Sequence, residues 1–245
     1  VTVKSGVMGC LALCGALMAG QVLADCVPAP VTGDLDFSVC KEWPAYPGLT
    51  IGAKALFKRK PTPGGVDSNG IYDFDLSVFQ DGKTEPLATY HQAAAFEQNG
   101  VAVYELTLDT ARYKLTSDLR AFGVRVRLSN GSRLTPVDET QLSLYVKEGE
   151  KLRPVLRQLV VSEYGGEWDG NCDSQRFEVS RTVEIAKTSS HGYADLIVKT
   201  QQTNTTSVGE GDACEDKTSV SSPELTTLRY DGKSYVLPKG FQAIE

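Results

Sequence analysis

Tyr72-Asp-Phe-Asp-Leu-Ser-Val-Phe-Gln-Asp-Gly82 decides the fold class of this chain. Tyr72, Phe74, Leu76 and Val78 alternate with Asp73, Asp75 and Ser77. A period of two puts one set on each face of an extended strand, so the run reads as a half-buried antiparallel strand. Asp81-Gly82 ends it with a pair that favours chain reversal. The same pattern recurs on either side. Leu49, Ile51, Ala53, Ala55 and Phe57 alternate upstream; Ala102 to Leu108, Phe122 to Leu128 and Leu142 to Val146 alternate downstream. Leu156–Val161, Phe177–Ile185, Asp195–Thr200, Leu225–Tyr230 and Ser234–Leu237 are further strand candidates. Asn99-Gly100, Asn130-Gly131, Glu148-Gly149 and Asp231-Gly232 stand where hairpins need turns. No segment carries a 3.6-residue period. The pattern predicts an all-β protein of antiparallel hairpins forming one or two sandwich- or barrel-like lobes.

The N-terminus reads as an export signal. Lys4 precedes an apolar run from Gly6 to Gly20, and Val22 and Ala24 occupy the small-residue positions of a cleavage site after Ala24. The run is shorter than the roughly 20 apolar residues of a membrane-spanning helix. Asp25 stands before Cys26 where a lipid-attachment motif carries a small neutral residue. The expectation is therefore a periplasmic or secreted protein, of Gram-negative type, with no membrane span in the mature chain.

That address gives the cysteines their meaning. Of six, Cys10 and Cys14 fall inside the signal, leaving Cys26, Cys40, Cys172 and Cys214. In an oxidising compartment four cysteines form two disulfides, with three connectivities open. The local pairing, Cys26 with Cys40 and Cys172 with Cys214, is the expectation. The segments are then a signal peptide (1–24), an irregular stapled segment (25–48), an N-terminal β lobe (49–163) and a C-terminal β lobe (164–245), parted at the composition break Glu163 to Asp173. Stretches beginning at Leu76 and Leu142, LSVFQDGKTEPLA and LSLYVKEGEKLRPVL, share a strand, a glycine turn and a proline in the return strand.

The net charge is −6, and loss of Lys4 makes it more negative. Such a chain lacks the basic face that displaces counterions from nucleic acid. Nucleophile-elbow, zinc-protease, phosphate-loop and dinucleotide-loop motifs are absent. Two histidines exist, His91 at the end of a predicted strand and His191 in a Ser-Ser-His-Gly turn. A Cys172–Cys214 disulfide draws Asp169 and Asp173 toward Asp212 and Asp216, a set of hard oxygen ligands of the kind Ca²⁺ takes. These spacings do not follow the EF-hand, and solvated charged loops are the ordinary reading. No other cofactor is indicated. Trp168, among three glycines, is either an interaction anchor or a cap on the disulfide. Arg125 and Arg127 share one strand face, placed to meet solvent or a carboxylate.

Val183 to Thr200, VEIAKTSSHGYADLIVKT, resembles the strand-turn-strand unit of FG-GAP-type β repeats and of periplasmic inhibitors of invertebrate-type lysozyme. Ser190-His191-Gly192 replaces the usual Asp- or Asn-rich turn, so calcium at that turn is not implied. The resemblance implies a secreted β domain that blocks a basic hydrolase. The whole chain also resembles uncharacterised secreted proteobacterial β-rich proteins, which implies location and fold. Three functions follow as expectations. The first is a non-catalytic binding protein whose partner is an envelope protein or glycan, using Trp168, His191 and the Cys172–Cys214 loops. The second is an inhibitor of a basic cell-wall hydrolase. The third is a carboxylate-dependent hydrolase of envelope glycans.

Overall fold

A computed structural model describes residues 26–60, 69–209 and 213–242. The expected signal peptide (1–24) and Asp212 lie outside them. Among the described residues every regular element is a strand: β1 (Phe37–Glu42), β2 (Leu49–Arg59), β3 (Gly70–Gln80), β4 (Pro86–Gln98), β5 (Ala102–Asp109), β6 (Ala121–Ser129), β7 (Val137–Glu148), β8 (Lys151–Trp168), β9 (Ser174–Ser190), β10 (Tyr193–Val208), β11 (Glu215–Val220) and β12 (Glu224–Leu228). They form one twelve-stranded sheet, not closed into a barrel. Its main path runs β1-β2-β3-β4-β8-β7-β6-β5, with β9 joining β8 and β10 joining β9, β11 and β12.

All pairings are antiparallel except one. β4 meets β8 in parallel at the single pair Thr89↔Lys151, backed by the Thr89 amide donating to the Glu150 carbonyl at 3.1 Å. The two look-alike stretches from Leu76 and Leu142 form the β3–β4 and β7–β8 hairpins that meet at this bridge. The sheet folds over there, and the β1–β4 half packs on the β5–β8 half. Their shared core holds Ile51, Phe74 and Leu76 from one half with Leu106, Phe122 and Tyr145 from the other. At the far side Lys41 Nζ of β1 donates to the Leu108 carbonyl of β5.

A second core lies behind β7 and β8. Leu142, Leu144 and Val146 of β7 and Val155, Leu156 and Leu159 of β8 pack against Leu196 and Val198 of β10 and Leu228 of β12. Tyr145 and Leu152 of the same two strands belong to the first core. β7 and β8 are therefore buried on both faces, and β8 runs unbroken through residue 163.

The turns differ from simple expectation. At Asp81-Gly82, Asn99-Gly100, Asn130-Gly131 and Glu148-Gly149 only the glycine has positive φ. The two-residue turn with both central φ values positive is His191 (47°) and Gly192 (86°), between the paired Ser190 and Tyr193. This is the backbone that a tight hairpin demands.

Disulfides join Cys26 to Cys40 and Cys172 to Cys214, as the local pairing predicts. Closing the loop of separation 42 restricts the unfolded chain by about 4 kcal/mol in the entropy account. Arg125 and Arg127 dock carboxylates of the chain itself. Arg125 donates twice to Asp109, at 2.9 and 2.7 Å, and Arg127 grips both oxygens of Asp138. Asp109 also accepts from the Ala111 amide and the Tyr113 hydroxyl.

Two stability measurements test this frame. Burial raises the Asp109 pKa, but the Ala111 amide, Arg125 and Tyr113 outweigh it and hold the carboxyl below its ordinary value. Its contribution is therefore present above the ordinary carboxylate value, about 3.9, and is lost as pH falls through the lowered folded-state value. In urea titrations Asp109→Ala is expected to lose about 2–3 kcal/mol at neutral pH, with a shallower acid limb than wild type. Replacing Cys172 and Cys214 together by serine is expected to lose up to about 4 kcal/mol. A midpoint unchanged in either variant contradicts the role assigned to it.

Candidate functional site

The sandwich is closed at Thr89 and opens beyond it. β4 continues to Gln98 without a described partner on its outer edge, while β8 bends away toward the second core. The first-core face of β7 changes character along this opening. Tyr145, Ser143, Gln141 and Glu139 share one face, opposite Phe122, Val124, Val126 and Leu128 of β6. Tyr145 belongs to the apolar core. Gln141 and Glu139 are buried as polar groups, 7% and 4% exposed. What begins as core thus becomes a polar-walled cleft of about 1020 Å³ between β4, β7, β8 and the C-terminal segment. Phe96, Arg157, Gln158, Tyr235 and Leu237 complete its wall.

Two bulges shape the mouth. On β4, Tyr72 and Phe74 face Phe96 and Gln92, so the residues between Gln92 and Phe96 oppose Asp73 alone. Ala94 takes φ 50°, and its amide donates to Asp73 Oδ1 at 3.0 Å. Lys58 bonds the other Asp73 oxygen. Lys58 first, then the Ala94 amide, holds the Asp73 carboxyl below its ordinary value. On β8, Leu142 and Leu144 face Leu159 and Leu156, leaving Arg157 and Gln158 opposite Ser143. Gln158 takes φ 49°, and its amide donates to Ser143 Oγ at 2.9 Å. Left-handed backbone at a non-glycine residue costs about 1–3 kcal/mol. Each side-chain acceptor offsets part of that cost, and the bulges carry Ala95, Phe96, Arg157 and Gln158 into the cleft.

The polar groups inside are ordered. Gln141 Nε2 donates to Glu139 Oε1 at 2.7 Å, which fixes the amide because a carboxylate only accepts. Gln141 Oε1 then faces away, buried and with no donor among the described residues. Arg157 Nη1 donates to the Tyr90 hydroxyl at 3.3 Å, which donates to Gln92 Oε1 at 2.7 Å. Beneath, Glu139 stands opposite Glu163 of β8. Burial pulls the Arg181 guanidinium below its usual value, while Glu163 and Glu139 act in the other direction. Arg181 ties the Val160 and Gly240 carbonyls together and lies over the Phe241 ring. The C-terminal segment is thus pinned along the cleft.

The residues singled out from sequence lie elsewhere. His191 is the turn residue described above, its Nδ1 2.8 Å from the Tyr230 carbonyl. Trp168 is 38% exposed; its indole donates to the Asn171 carbonyl at 2.7 Å and its amide to the Leu134 carbonyl. Asp169 caps its own turn through the Asn171 amide. Asp216 accepts from Arg176 at 3.0 Å and from Ser207. These two groups hold its carboxyl below the ordinary value, Ser207 foremost. Asp173 and Asp169 are joined only through backbone, amide 169 to carbonyl 173. Among the described residues no group of three or more His, Cys, Asp or Glu is arranged to hold a metal.

Sequence reading missed the cleft because Glu139, Gln141 and Ser143 alternate with Leu142, Leu144 and Val146 as solvent-facing residues do. One signal was there: the return strand from Leu152 to Val161 is apolar in runs and not in alternation, the mark of a strand covered on both sides.

No family model matches this chain, and no curated protein or solved structure matches it.

Proposed function

We propose that this chain is a non-catalytic binding protein exported to the bacterial envelope, periplasmic or secreted, and that the β4–β8 cleft receives a hydroxyl-rich envelope glycan. The observation that carries the reading is Gln141 Oε1, a buried acceptor with no donor among the described residues, on a side chain that lines a cleft of about 1020 Å³. Leaving such an acceptor unserved costs about 1–3 kcal/mol, and a sugar hydroxyl is a donor of the right size. Arg157, Gln158 and Asn99 add polar contacts, and Phe96 and Leu237 add apolar wall for the carbon face of a ring. Placed polar groups set beside apolar wall are the ordinary make-up of a small-ligand site. Two disulfides and the absence of a described helix able to cross a membrane fit an exported chain.

One observation favours a second reading, a carboxylate-dependent glycan hydrolase. Glu139 lines the cleft and Glu163 stands directly opposite it on the next strand, and paired carboxylates are the usual machinery of glycoside hydrolysis.

Calorimetric titration with the tetramer of N-acetylglucosamine separates these. Saturable binding is expected, weakened about tenfold in Gln141→Leu and less in Arg157→Ala, with no new reducing ends. Release of reducing ends that disappears in Glu139→Gln selects the hydrolase. Absence of binding to this tetramer and to soluble peptidoglycan fragments overturns both.

A further inference from the structure

The outer face of the β1–β4 half carries a groove that shares no wall residue with the cleft. Its volume is about 930 Å³. Three cross-strand rows build it. The first is Ser38, Lys54, Asp75 and His91, one residue from each of four neighbouring strands in direct register. The second is Cys40, Gly52, Ser77 and Thr89, and the third is Glu42, Thr50 and Phe79. Glycine, serine and threonine keep the middle row low, and the disulfide-held residues Cys26 to Ala29 stand along one side. A Cβ on Gly52 would come 3.2 Å from the Phe79 ring, so this ring lies at the floor.

The charges in the groove are not all spent. Asp75 is engaged by His91 Nδ1 at 2.8 Å, and Asp81 accepts from Thr50 Oγ1 at 2.7 Å. Lys83 stands out on the exposed β3–β4 hairpin. The side chain of half-buried Lys54 has no hydrogen bond or ion pair among the described residues, nor has that of half-buried Glu42. Ser38 Oγ, beside Lys54 in the first row, is buried without a partner among the described residues. A cation with a hydroxyl next to it therefore ends the groove on one side, and a carboxylate ends it on the other. Lys54 and Thr50, the β2 residue level with Glu42, are four positions apart, about 14 Å at strand rise. An extended peptide of about four residues covers that length.

We propose that this groove is a second binding site, for a short extended peptide with free ends, its C-terminal carboxylate on Lys54 and Ser38 and its N-terminal ammonium at Glu42. Terminal capture by a point charge and a hydroxyl gives both polarity and length selection, because a peptide of the wrong length cannot satisfy both ends.

Tetra-alanine is the probe, titrated into the full chain with a stability measurement on each variant. Saturable binding is expected, with amide-resonance changes at Gly52, Ser77 and Thr89. Amidating the peptide's C-terminus, or Lys54→Met in the protein, is expected to weaken binding about tenfold. The two changes together should add little to either alone. Acetylating the N-terminus and Glu42→Gln should behave as a matching pair. Ser77→Tyr fills the groove without altering charge and should abolish binding. Equal affinity for the free acid and the amide overturns the proposal. So does absence of saturation at about 10 mM peptide, or a footprint confined to the β4–β8 cleft.

Discussion

The burial of β7 and β8 on both faces is the constraint on which the rest of the structure depends. An antiparallel strand with a core on one side and water on the other asks little of its polar face. β7 instead sends Leu142, Leu144 and Val146 into one core and Tyr145 into another. Residues alternating with the leucines are therefore enclosed, and each polar one among them needs a partner. Ser143 finds the Gln158 amide, Gln141 finds Glu139 through its nitrogen, and the Gln141 oxygen is left over. The cleft is a direct consequence of where the central strand pair sits.

That placement also explains the strain. β4 and β8 touch at Thr89↔Lys151 and then must separate, one staying with β3 and the other turning toward β9. Each strand absorbs the divergence with a bulge, and each bulge puts a non-glycine residue into left-handed backbone, Ala94 and Gln158. Bulges bend a strand and re-aim its side chains. On β4 the bulge has a further effect: it interrupts an edge that would otherwise present regular backbone groups to another chain. The opening is thereby suited to a small ligand held by side chains, and poorly suited to an added strand.

Much of the fold was legible. Period-two patterning identified β2, β3, β5, β6 and β7, because each has an apolar face that must be buried. Other elements were hidden for definite reasons. β1 is short and lies in a proline-rich stretch. β4 carries Ala93, Ala94 and Ala95 across its bulge, which breaks the alternation. β11 is exposed along its whole length, so no hydrophobic period marks it. Within the composition break Glu163 to Asp173, residues Glu163 to Trp168 continue β8, with Gly165 packed under the Phe177 ring. Polar glycine-rich sequence is compatible with a strand where a neighbour's aromatic ring takes the space a side chain would fill. The cleft stayed hidden because polar residues facing solvent and polar residues facing an enclosed space alternate identically.

By itself the sequence determined that this chain is built of antiparallel strands, and it singled out the two disulfides by local pairing. Both follow from short-range chemistry: side-chain periodicity and the order of cysteines along the chain. Only the tertiary structure decided which polar faces meet water. Gln141 and Glu139 are enclosed because β8 diverges from β4 after one bridge. Ser38, Lys54, Asp75 and His91 form a single row because four strands align in register. These are consequences of strand order and bulge position, set by packing between residues far apart in the chain, and no local pattern encodes them.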